Sequence, residues 1–108
     1  MAYIGHDGLM DFTITWPKPG VKGAKPKPAI VLCCLSHEYF SKPLQQSGVQ
    51  PVLMTNQLMY PGAFVLHDAL EAWIYGKVGD DLRTAAARAY ARNQRISLKA
   101  ALGVFSTE

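Results

Sequence analysis

The chain has 108 residues, 49% hydrophobic and 18% charged, which suffices for one small domain over 1–108 and excludes a second core. Eleven Lys and Arg against eight Asp and Glu give a formal charge of +3, a mild excess that a globular domain carries without any nucleic-acid role, and no nucleic-acid partner is predicted. No apolar run approaches the roughly 18 to 20 residues that span a bilayer, and the N-terminus lacks the basic and long apolar regions of a signal peptide, so the sequence predicts a cytoplasmic protein without a membrane partner.

Ala2 to Ile4 reads as a short strand that runs into Gly5-His6-Asp7-Gly8, a turn whose glycines leave the imidazole projecting. Beyond it, Phe12, Ile14 and Trp16 alternate with Asp11, Thr13 and Thr15, predicting an edge strand or extended arm over Asp11 to Thr15. Pro17 to Pro28 holds four prolines, two glycines and four lysines and reads as a flexible surface loop; it has no interleaved aromatics on which bases would stack.

Ala29 to Ser36 is an unbroken apolar run that ends in a polar turn, as a strand covered on both faces does. Ser36 is placed to cap a helix beginning near His37 and carrying Tyr39, Phe40 and Leu44, with Gly48 as its stop. Pro43 fits best in a first helical turn, which predicts regular helix only from Lys42. Pro51 to Thr55 then gives a third apolar strand, and the helix between it and the second strand implies parallel pairing.

Phe64, Leu66, Leu70, Trp73 and Ile74 recur at helical spacing across Ala63 to Tyr75, stopped by Gly76. Asp80 is placed to cap a further helix from about Asp81, with Leu82, Ala86, Ala89, Asn93, Ile96 and Ala100 on one stripe; the pattern is equally compatible with a run to Phe105 and with a restart at Ser97. The predicted fold is therefore α/β: a small three-stranded, mainly parallel sheet with helices on both faces and an extended N-terminal arm.

Ligands and chemistry collect beyond the carboxyl ends of strands in such sheets, and Cys33 and Cys34 sit at one such end while His6 follows another. Adjacent cysteines on a strand point to opposite faces, which excludes a disulfide between them. A set of Cys33, Cys34 and His37 diverges in the same way and matches no usual zinc spacing, so neither metal nor cofactor is predicted. Two plainer roles stay open: Cys34 as a small buried hydrophobe, and His6 as a hydrogen-bonding partner of the backbone.

Tyr3-Ile4-Gly5-His6-Asp7-Gly8 and Val31-Leu32-Cys33-Cys34-Leu35-Ser36, in this order, resemble the His-Cys dyad region of the caspase-haemoglobinase cysteine peptidases, with separases and CHAT domains nearest in character. Leu44 to Gly48, Val52 to Thr55, Ala63 to Gly76 and Asp80 to Tyr90 are similar to the elements that follow in that family. The resemblance implies Cys34 as nucleophile, His6 as proton carrier, Cys33 in place of a small residue, and the backbone of Gly5 and Cys34 as oxyanion donors. The family carries two further strands before the His strand, and this sequence shows no counterpart to them.

The leading expectation is thus a caspase-like cysteine hydrolase domain or its catalytically inactive remnant, and the rival is a non-catalytic protein-interaction module that uses an uncovered sheet edge. In either case three helices cover both faces of an apolar sheet incompletely, which predicts a homodimer with Tyr3, Phe12, Trp16, Met54 and Met59 near its interface.

Overall fold

A computed structural model describes residues 1–11, 15, 25–60 and 62–107. Residues 12–14 of the expected arm over Asp11 to Thr15, and most of the Pro17 to Pro28 loop, lie outside the described residues. Strand β1 (Ala2–Ile4) and strand β2 (Lys27–Leu32) are followed by helix α1 (Ser36–Gln46) and strand β3 (Val49–Thr55). Three helices come next, α2 (Ala63–Ile74), α3 (Asp80–Gln94) and α4 (Leu98–Val104), and a two-residue strand β4 (Phe105–Ser106) is the last element described.

The sheet order is β1-β2-β3-β4. The first three strands are parallel, as expected, and β4 adds a fourth, antiparallel strand beside β3 that the sequence reading did not foresee. Two residues carry too little period-2 pattern to announce a strand; Phe105 belongs there because its side chain fills the core and meets Tyr90 edge-on, ring centroids 5.7 Å apart. Lys27 and Pro28, expected in the loop, begin β2 instead, where Lys27 N–H reaches Gly48 O and the chain's amino group reaches Pro28 O. Pro51 has no N–H for the ladder, and the register of β2 against β3 shifts beside it, from Ala29↔Pro51 to Ile30↔Leu53.

Alternation along the strands sends Ile30, Leu32 and Leu53 to one face, packed with Val65 and Ala69 of α2, Leu82 and Ala86 of α3 and Val104 of α4. Val31, Cys33 and Met54 point to the other face, against Leu44 and Phe40 of α1. The expected cover on both faces is thus present, with one helix more than the sequence suggested. Met54 and Met59 belong to this core, 1% and 7% exposed, and are withdrawn from any dimer interface; Phe12 and Trp16 lie outside the described residues, and Tyr3 is exposed. Of the predicted stripe on α3, Asn93, Ile96 and Ala100 are exposed, whereas Tyr90 is buried in their stead.

Helix boundaries follow backbone chemistry more than side-chain caps. Pro43 sits inside α1, not in its first turn, and forfeits one ladder bond there. Gly79, at φ +57, precedes α3 and lets that helix start at Asp80, so Asp80 is its first residue and not its cap. Arg95 turns left-handed at φ +56 and ends α3; Ser97 Oγ then accepts from Ala100 N at 3.1 Å and caps α4. The helix does restart at Ser97.

Candidate functional site

β1 and β2 pair at Ala2↔Ile30, Tyr3↔Val31 and Ile4↔Leu32, and Gly5 N–H continues the ladder to Leu32 O at 3.2 Å. Parallel neighbours in this register leave the sheet together, so the His6 turn and the Cys33-Cys34 turn emerge side by side at its carboxyl end. Gly5 has φ +154, and a Cβ there would meet the Tyr3 hydroxyl at 3.0 Å, while that hydroxyl donates to His6 O at 2.7 Å. Because the Gly5 N–H belongs to the ladder, it is not free to act as the oxyanion donor that the sequence suggested.

Between β2 and α1 the chain reverses over three residues. Cys33 points inward and is fully buried; burial above all, with Asp7 and Cys34 nearby, pushes its thiol up to about 12, which makes it an inert core residue. Cys34 points the other way and is half-buried. Met59 holds it from both sides: Met59 N–H donates to Sγ at 3.3 Å, and the thiol donates to Met59 O at 3.5 Å. Leu35 takes a left-handed conformation, φ +52, which costs a non-glycine residue about 1–2 kcal/mol. Its N–H is fastened to Gln57 O at 3.1 Å.

The turn is locked from beneath by Ser36 and Thr55, both fully buried. Ser36 Oγ donates to Val31 O at 2.7 Å, and Thr55 Oγ1 donates to Cys33 O. Each hydroxyl oxygen accepts the other residue's backbone N–H, at 2.8 and 3.1 Å. Ser36 is therefore the first residue of α1 and a strand-to-strand tie; Leu35 stands at the cap position and offers no side-chain bond.

The histidine turn is equally built. Asp7, fully buried, accepts Leu9 N–H on Oδ1 at 3.0 Å and so starts a single 3-10 turn over Gly8–Met10. Met10 N–H reaches Asp7 O at 3.2 Å and Asp11 N–H reaches Gly8 O at 3.0 Å. Asp7 Oδ2 has no hydrogen-bond partner, and burial, partly offset by Leu9 N–H and His6, raises the Asp7 pKa. Asp11, expected at the start of an extended arm, is instead the αR residue that closes this turn, and its Oδ2 lies 2.7 Å from His6 Nε2.

The structure thus brings the His6 and Cys34 turns to one end of the sheet, with each side chain bonded elsewhere, His6 to Asp11 and Cys34 to Met59. No hydrogen bond joins the two directly among the described residues. Sequence reasoning missed Asp11, Met59 and Thr55. A signal existed for Asp11, five residues after His6 across a Gly-Leu-Met turn, and for Thr55, the polar end of an apolar run; Met59 acts through its backbone and leaves no trace in sequence.

Elsewhere on the surface, His67, Asp68 and Glu71 of α2 offer ligand atoms within 4.8 Å of one another, but Asp68 is already paired with Arg92 at 2.7 Å. The His67 hydrogen bond to Asp68 raises the imidazole pKa. Among the described residues, no helix is long and apolar enough to cross a membrane. No protein-family model, curated protein or solved structure matches this chain.

Proposed function

We propose that this domain is a caspase-like cysteine hydrolase that cleaves peptide bonds of a protein or peptide partner, with Cys34 as nucleophile and His6 as proton carrier. The observation that carries the reading is the parallel Ile4↔Leu32 register, by which one strand end delivers an imidazole and its neighbour a half-buried thiol. A free thiol, with a pKa of about 8.5, is mostly protonated at neutral pH and needs a base. Once Cys34 turns from Met59, His6 takes the Sγ proton, the thiolate attacks the acyl carbon, and the imidazolium returns that proton to the leaving amine. Water, deprotonated by the same imidazole, then releases the acyl group from sulfur. Oxyanion donation falls to the Cys34 N–H, since Gly5 is engaged in the ladder.

Alkylation by iodoacetamide tests the reading. Cys34 reacts far faster than Cys33 at neutral pH, and His6→Ala slows it; equally sluggish labelling of both thiols would refute the hydrolase.

A second reading, a non-catalytic interaction module, rests on the β1 edge, where Ala2 and Tyr3 are exposed and no strand of the described chain pairs on the outer side. That edge is also the surface we assign to homodimerisation, and a cytoplasmic location accompanies both readings.

A further inference from the structure

Resting on the hydrolase reading, we infer that Asp11 is the positioning carboxylate of the Cys34–His6 pair, so that Cys34, His6 and Asp11 work as a triad whose His–Asp half is closed within the six residues His6 to Asp11. Three observations converge. His6 Nε2 and Asp11 Oδ2 are 2.7 Å apart, the length of a charge-assisted bond. Asp11 is not a passing surface residue: the 3-10 turn started by the buried Asp7 returns the chain, and the Asp11 N–H bond to Gly8 O sets the backbone from which its carboxylate faces the ring. The Tyr3 hydroxyl, donating to His6 O at 2.7 Å, holds the histidine backbone from the strand side.

The chemical consequence concerns tautomers. An ionised carboxylate only accepts, so the proton between the two groups sits on Nε2, and the lone pair of the neutral ring sits on Nδ1. Nδ1 is then the nitrogen that removes the Cys34 Sγ proton and later hands it to the leaving amine, while Asp11 stays ionised and balances the imidazolium charge. With side chains 73% and 65% exposed, the pair adds little to folding stability; its effect lies in ring orientation and proton placement. The charged or titratable groups that meet His6 are Asp11 and Asp7 on its own turn and Tyr3 on β1, while Cys33, beyond the end of β2, lies near Asp7 and Cys34.

The test uses the whole chain with 15N-labelled histidine, His6 being assigned by its loss in His6→Ala. In the parent protein the His6 nitrogens report the Nε2–H tautomer. Asp11→Asn abolishes that preference, since its amide can donate to Nε2 and force the opposite tautomer, and Asp11→Glu retains it. In parallel, Asp11→Asn slows iodoacetamide alkylation of Cys34 at neutral pH by about tenfold, while Asp11→Glu restores it. An Nδ1–H tautomer in the parent, or tautomer and rate unchanged in Asp11→Asn, overturns the inference. If His6→Ala slows Cys34 and Asp11→Asn does not, the role of Asp11 alone falls. If His6→Ala leaves Cys34 unaffected, the hydrolase reading falls and takes this role with it.

Discussion

Ser36 and Thr55 exchange backbone and side chain with each other: Thr55 N–H donates to Ser36 Oγ at 2.8 Å and Ser36 N–H donates to Thr55 Oγ1 at 3.1 Å. Both hydroxyls pass their own protons to β2 and its turn, at Val31 O and Cys33 O, so two buried residues satisfy four polar groups of their own and two carbonyls of β2 and its turn, and fix the path of the chain through Cys33, Cys34 and Leu35. The thiol of Cys34 is therefore presented by a braced turn.

That brace sets the first expectation. Ser36→Ala leaves Thr55 N–H and Val31 O without partners and destabilises the domain by about 1–3 kcal/mol, and Thr55→Val does the same to Ser36 N–H and Cys33 O. In a double-mutant cycle read by urea denaturation the pair couples by at least about 0.5 kcal/mol; additive losses would show that the two hydroxyls act independently.

The two cysteines separate by environment. Cys33, buried and with its thiol pushed up to about 12, resists alkylation up to pH 9 in the folded protein, whereas half-buried Cys34 is modified. Peptide mass mapping after timed labelling distinguishes them, and Cys33 labelling at the Cys34 rate would mean that the turn opens.

Asp7 predicts a pH dependence of known sign. Burial raises its folded-state pKa above the unfolded value, so the native state binds the extra proton in that interval. Its contribution to stability is therefore greatest below the unfolded pKa of about 3.9 and declines as pH rises through the folded value. Asp7→Asn keeps an acceptor for Leu9 N–H and flattens this dependence, becoming stabilising relative to the parent as the pH approaches neutrality. Asp7→Ala also loses the turn-starting bond, at a cost of about 1 kcal/mol at every pH. Thermal melts between pH 4 and 7 read both, and parallel curves for Asp7→Asn and the parent would contradict the assignment.

Arg83 fastens the end of the chain. Its Nε and Nη2 donate to Leu102 O at 3.1 and 2.6 Å, and Nε also donates to Phe105 O at 3.0 Å, so one cation satisfies carbonyls at the end of α4 and in β4. Arg83→Met, which keeps the aliphatic stem, costs about 1.5–3 kcal/mol and raises hydrogen exchange in α4 and β4. Unchanged exchange there would show that the packing of Phe105 alone holds the strand.

Self-association through the β1 edge is read by sedimentation equilibrium. The dimer predicts about twice the chain mass of 11.9 kDa at micromolar concentration, and Tyr3→Lys shifts the protein to monomer. A single-chain mass across that range for the parent protein removes the dimer.

The unbroken apolar runs of β2 and β3, the helical spacing across α2 and α3, and the glycine stops were legible in sequence because each is a local pattern with a period of its own. So were the α/β class, the parallel pairing and the arrival of His6 and Cys34 at strand ends. Tertiary structure alone decided the rest. The sequence places Met54 and Met59 at an interface, but only the packing of α1 over Met54 and of α2, α3 and α4 around Met59 shows that they are core. β4 exists because Phe105 is drawn into that core, not because two residues favour a strand. Ser36 left the cap position for a partner 19 residues away, and Cys34 found a backbone partner 25 residues away. Such bonds form where the chain returns on itself, and a backbone N–H or C=O is the same in every sequence, so nothing in the order of residues marks which one will meet a thiol.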